Sequence, residues 1–267
     1  MRFDSSSSET FRMNILIQVL FEIQETFLLA TRALYRIIRR PAYFAEILTQ
    51  IDRIGVGSLS IIILTGFFTG GVLTLQTVPT LKSFGTQSVT GQLIALSLVR
   101  ELGPVLSALM VTARVGSSIS AELGSMSVSQ QIDAMRALGT DPVRKLVAPR
   151  LIALLISLPL LTVLADLVGI LGGWIVAVLL FQQDSSTFLN SVRNGITGDD
   201  VIGGVIKPIV FGFLICAISC RQGLTTEGGT VGVGLSTTRA VVLSAIMVII
   251  SDFFLAKALQ VVLNVPT

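Results

Sequence analysis

Arg100 and Glu101 stand side by side in an apolar run that opens at Leu93 and is long enough to cross a bilayer, with Gly103 and Pro104 just after them. Two further carboxylates, Asp166 and Asp252, sit inside other apolar stretches. Charge at membrane depth is costly, so such residues face a cavity or a partner and mark a working site. Their types suit a relay of protons or ions, as in an ion-coupled secondary transporter, or ion pairs that only fix helix register. Asp166 with Asp252 would also suit an intramembrane aspartyl protease, but their contexts, LADL and ISDF, lack the GxGD pattern that chemistry calls for.

Composition removes other chemistries. The chain has no histidine, which excludes Ser–His and Cys–His catalysis and any His-rich metal site. Cys216 and Cys220, one helical turn apart in an apolar segment, read as two small buried hydrophobes without further ligands. The glycine run from Gly228 to Gly234 has no strand before it and no lysine after it, and the GxxxxGK[ST] spacing of a phosphate-binding loop occurs nowhere. That run reads as a flexible turn.

The elements that must position the four charges are membrane helices. Of 267 residues, 52% are hydrophobic and 13% charged, with a mean hydropathy of +0.83. This is the composition of an all-α polytopic membrane protein. The net charge of +3 comes from dispersed basic residues with no interleaved aromatics, so it is no nucleic-acid footprint. Apolar runs predict five transmembrane helices over residues 56–78, 93–114, 151–180, 201–219 and 241–262. Gly66 with Gly70, and Gly169 with Gly173, offer faces for close helix approach. The third run, about 45 Å of helix against a hydrocarbon core of about 30 Å, must tilt, bend at Pro159 or project. Residues 181–200 and 221–239 read as polar loops, and residues 14–40 as an amphipathic helix lying in the interface. The expected organisation is an N-terminal interfacial region over 1–53 and a membrane domain over 54–265.

Between the second and third spans, Ser127 with Gln130 reads as a capping-box start, Gly139 as the stop, and Pro142 lies just beyond. The segment 127–139 places Val128, Ile132, Met135 and Leu138 on one face and Gln131, Asp133 and Arg136 elsewhere. It is too short to span and reads as an amphipathic docking helix. The bias of Lys and Arg puts this helix and the N-terminus in the cytoplasm and the C-terminus outside. Such a helix suits a permease driven by another subunit that hydrolyses the ATP.

The run LSLVRELGPVLSALMVTARVGSSISAELGSMSVSQQIDAMRALGTDPVRKLVAPR resembles the signature of the MlaE/YrbE family of ABC transporter permeases, and the similarity covers nearly the whole chain. The resemblance implies a homodimeric inner-membrane permease bound to two copies of an ABC ATPase. ATP-Mg would be held by that partner and no cofactor by this chain, with a periplasmic MCE hexamer exchanging phospholipid on the outer side. It implies that Arg100 and Glu101 line a lipid cavity walled by Leu73, Leu81 and Phe84, and that Asp252 fills an acidic position of the last span. It further implies an ATPase-coupling helix carrying Val128, Gln131, Ile132, Asp133, Met135, Arg136, Leu138 and Gly139. On that reading Arg100 binds a lipid phosphate and Glu101 tunes it.

Overall fold

The computed structural model describes residues 24–26, 28–29, 31–32 and 44–262. In chain order the helices are α1 (Phe44–Ser83), α2 (Gln87–Val128), α3 (Gln131–Ala137), α4 (Val143–Leu179), α5 (Ser185–Gly195), α6 (Gly198–Leu224) and α7 (Gly229–Val262). All but α3 and α5 are long and apolar enough to cross a membrane, which gives the expected five spans. No strand occurs among the described residues. The interfacial helix expected over 14–40 falls mostly outside them, including its basic end at Arg36, Arg39 and Arg40. The described positions within it are helical, and Leu29 packs against the main core.

Helix α4 is the centre of the bundle and packs against α1, α2 and α6. Lipid tails are as apolar as leucine, so helices in a bilayer associate where small residues let their backbones approach. The two glycine pairs read separately from the sequence meet each other here. A β-carbon on Gly66 would collide with the Ala165 carbonyl, one on Gly70 with the Gly169 carbonyl, and one on Gly172 with the Phe67 carbonyl. Around this seam, Ile54, Ile62, Leu151, Leu154, Leu158, Phe211 and Ile215 form the buried core of α1, α4 and α6. Helix α4 runs unbroken through Pro159. Its 37 residues extend about 55 Å, well beyond the hydrocarbon core.

Four wide π-helical turns interrupt the spans, at Asp52–Val56, Leu98–Leu102, Thr112–Gly116 and Val143–Val147. In each, the backbone N–H closes onto the carbonyl five residues back, as Gly103 does onto Leu98. Such turns gather at functional sites. Two of them lie in α2, and the first of these carries Arg100 and Glu101.

Three expectations are corrected. Helix α2 does not end at Arg114 but continues to Val128. Its polar half is an inner helix face, where Gly116 abuts Ser219, Gly124 abuts Thr226, and Leu123 is fully buried. The loop expected over 181–200 contains α5, started by Asp184, whose carboxylate accepts the Thr187 N–H at 2.8 Å. That helix is anchored by Phe188, fully buried in a second apolar cluster with Ile94, Leu98 and Ala177. The glycine run is not a flexible turn: α7 already begins at Gly229, and only Gly228 and Gly229 take positive φ, of 84° and 69°. The rest of the run is helical, with Thr237 and Thr238 hydroxyls donating to carbonyls one turn back.

Candidate functional site

Adjacent residues on a helix point about 100° apart, so the side chains of Arg100 and Glu101 reach in different directions. Each is claimed by a different residue from another helix. Arg100 Nε donates to Asp200 Oδ1 at 2.6 Å. Asp200 is held in place by the capping box of α6, its Oδ2 accepting from the Thr197 N–H at 2.8 Å and the Thr197 hydroxyl at 2.7 Å. Glu101 Oε2 accepts from Lys207 Nζ at 2.5 Å. Lys207 also donates to the Arg100 carbonyl at 2.8 Å, inside the wide turn, and lies 3.1 Å from Asp252 Oδ1 on α7. The result is a cluster of two cations and three carboxylates that ties α2, α6 and α7 together.

Its two halves differ in access. The side chains of Lys207 and Asp200 are 3% and 1% exposed, whereas those of Arg100 and Glu101 are 36% and 49% exposed. A buried charge must be paired and hydrogen-bonded to be tolerated, and Lys207 donates to Glu101 and to the Arg100 carbonyl with Asp252 as a second counter-ion. Among the described residues only Nε of Arg100 has a partner, and the side chain is partly exposed, which leaves its two terminal nitrogens as a planar fork of N–H groups suited to an anion.

Lys207 and Asp200 belong to the site although the sequence reading does not single them out. A signal was available: an arginine and a glutamate buried side by side each demand a counter-ion, and Lys207 is the lone cation in the apolar fourth span. Asp200 lies at the end of the stretch expected to be a polar loop, and the structure puts it in the first turn of α6.

Of the expected cavity-wall residues, Leu73 is half-buried and packs on the cluster containing Leu98 and Leu102, which flank the charges. Leu81 and Phe84 lie further along, at the end of α1, with Phe84 exposed. Asp166 does not join the ions. It is buried on α4 against the backbone of Gly103, where a β-carbon would collide with its carboxylate, and its Oδ1 has no hydrogen-bond partner. Asp252 is committed to Lys207, so the two aspartates form no catalytic dyad. Cys216 and Cys220 are buried with their sulfurs 3.8 Å apart.

The docking segment differs from its sequence reading. Ser127 does not cap a helix; it ends α2, and its hydroxyl reaches the carbonyls of Leu224 and Thr226. A turn through Gln130, at φ 59°, separates it from α3, which is seven residues long, and Gly139, at φ 73°, ends it as expected. Ile132 is only 3% exposed and packs inward, so the apolar stripe is partly used by the chain itself. The outward surface consists of Gln131, Asp133, Ala134, Arg136 and Leu138, with Asp133 and Arg136 paired at 2.8 Å; Val128 is exposed on α2 and Met135 is half-buried.

Comparison with known proteins gives the class of this helical bundle, with its charged knot between three spans and a short polar-faced helix between two of them. The family described as Permease MlaE matches residues 47–258. This chain belongs to the MlaE permease family. A "Probable ABC transporter permease protein" of Rickettsia bellii is 44% identical over 225 residues, covering 84% of this chain and 87% of that one. The "Intermembrane phospholipid transport system permease protein MlaE" of Haemophilus influenzae is 37% identical over 214 residues, covering 80% and 82%. The chloroplastic "Protein TRIGALACTOSYLDIACYLGLYCEROL 1" of Arabidopsis thaliana is 37% identical over 230 residues, covering 86% and 66%. The chain is thus a multi-pass membrane permease subunit of the ABC transporter class. The family match takes in α3 and every charge of the cluster.

Proposed function

We propose that this permease moves phospholipid across or out of the inner membrane, with Arg100 as the headgroup anchor. The observation that carries the reading is the half-committed guanidinium: Nε fixed by Asp200, both terminal nitrogens without a partner among the described residues, at a partly exposed position in an apolar helix. A phosphate diester there would gain bidentate, charge-assisted hydrogen bonds, and the apolar surface around Leu73 would take acyl chains. Glu101 and Asp252 keep Lys207 neutralised, so the lipid meets one available cation. The name of the Haemophilus relative supports phospholipid as the cargo.

The driving force would come from two copies of a separate ATPase that holds ATP-Mg and seats on α3 of each permease in a homodimer, with an MCE hexamer on the opposite side. Helix α2 supplies the lever. It joins the docking end at Val128 to the charged turn at Leu98–Leu102 as one helix of 42 residues. Because Lys207 grips a carbonyl within that turn, a rigid-body shift of α2 would drag α6 and α7 with it. Arg53, Arg114, Arg136, Arg144, Lys145, Arg150, Arg221 and Arg239 gather at the α3 end, which supports a cytoplasmic N-terminus and an outer C-terminus.

The test is Arg100→Gln, whose amide still bonds Asp200 but carries no charge. Phospholipid retained by the purified permease, counted by mass spectrometry, is expected to fall about tenfold, since a charged hydrogen bond contributes about 1.5–3 kcal/mol. Recovery of the ATPase should not change. Wild-type lipid loading in this variant would sink the anchor role.

A further inference from the structure

At the other end of α2 a second basic site is built that the Arg100 cluster does not use. A cleft of about 550 Å³ separates the start of α1 from the second half of α2, lined by Gln50, Asp52 and Arg53 on one wall and Arg114, Ser118 and Glu122 on the other. Each wall includes a wide turn, Asp52–Val56 on one side and Thr112–Gly116 on the other. Arg114 is positioned by the fold. Its Nη1 donates to the Ser58 hydroxyl at 2.8 Å and to the Arg53 carbonyl at 3.3 Å. Gly57 leaves the space for its guanidinium, since a β-carbon there would come within 2.5 Å of Nη2. Among the described residues, Nε and Nη2 have no protein partner, nor does the exposed side chain of Arg53. The carboxylates do not cancel this charge: Glu122 is held by the buried Arg150 at 2.9 Å, and Asp52 is exposed at the rim. Ile54, Val115 and Ile119 give the cleft an apolar floor.

We infer that this cleft binds the phosphate diester of a phospholipid from the leaflet on the α3 side, with Arg114 and Arg53 as the ligands. The inference rests on the phospholipid reading above and adds a second headgroup position, fourteen residues and roughly 20 Å along α2 from Arg100. An oriented guanidinium with two free donors, beside a second one and above apolar side chains at the membrane boundary, matches a phosphate that carries acyl chains. The two sites would then serve opposite leaflets along one helix.

The experiment reconstitutes the full chain in nanodiscs containing a phospholipid with a photoactivatable headgroup and maps labelled peptides by mass spectrometry. Labelling is expected near Arg53 and Arg114 as well as near Arg100. Arg53→Glu should lower labelling in the cleft about tenfold while leaving the Arg100 peptide labelled and thermal unfolding unchanged. Arg114→Lys keeps the charge but loses the fork and should give a smaller drop. Undiminished cleft labelling in Arg53→Glu would overturn the assignment. So would displacement of the label by excess inorganic phosphate, which would give the cleft to the free ion. Cleft labelling without any at Arg100 would instead sink the anchor role and leave this site standing.

Discussion

Two seams hold this bundle together by different means. Between α1 and α4 the contact is glycine against backbone alone, with Gly66, Gly70 and Gly172 leaving no room for one more carbon. Between α2, α6 and α7 glycine also meets backbone, Gly204 against the Val99 carbonyl, but the seam adds ions, with Lys207 shared by Glu101, Asp252 and the Arg100 carbonyl. The first seam has a single geometry, because close-packed backbones either fit or clash. The second can exchange partners, because a lysine has three donors on a flexible stem and an arginine fork is only partly spent. The difference separates a static half of the permease from one able to move.

The sharpest way to break the comparison is Gly70→Leu. Its side chain must push α1 off Gly169, at a cost of about 3 kcal/mol or more, and folded protein recovered from membranes should nearly vanish. If expression and thermal stability were unchanged, the seam would not be rigid. Next comes Lys207→Met, which strands Glu101 and Asp252 and should cost about 3–5 kcal/mol, read as a fall in melting temperature. Adding Glu101→Gln and Asp252→Asn removes the stranded charges and should restore most of the stability but not transport. Restored transport in that triple variant would show the ions to be scaffolding.

A smaller effect tests the docking end. Arg136→Glu lies on the outer surface of α3 and should weaken ATPase co-purification several-fold without affecting folding, whereas Ile132→Asp, aimed inward, should unseat α3 itself. Equal loss of folding in both would remove α3 from the interface. The smallest effect belongs to Asp184. The hydroxyl of Ser186, with the backbone and hydroxyl of Thr187, holds its carboxyl below the ordinary value of 3.8. A depressed acid stabilises the fold when ionised, so the cap is fully present above pH 3.8 and is lost as pH falls through its lowered value. Asp184→Ala should therefore loosen α5 at neutral pH, visible as faster amide exchange there, and should remove that acid sensitivity.

Hydropathy made the five spans legible because each is a long apolar run, and the spacing of Gly66, Gly70, Gly169 and Gly173 marked both faces of the glycine seam before they were known to meet. The polar stretches were harder. Helix α5 and the start of α7 are rich in Ser, Thr, Gly and Asn, residues whose local preferences favour turns. They are helical because Phe188 is buried in one case and because a hydroxyl pair, Thr226 with Ser236, ties α7 to the end of α6 in the other. Arg100 and Glu101 stood out as charges in an apolar run, but their partners lie 100 and 106 residues away and belong to tertiary structure.

The wide turns let α2 absorb a change in chain length. Each takes up one residue more than a regular helical turn within about the same rotation, so the helix faces on either side of Leu98–Leu102 stay in register. Removing one residue there would let the turn close into ordinary α-helix with Arg114 still facing Ser58 and Gly116 still facing Ser219, and the loss would fall on the turn itself, where Lys207 holds the Arg100 carbonyl. Such a deletion should spare folding and cost transport, whereas one in the regular helix Gly103–Val111 would rotate everything beyond it by about 100°.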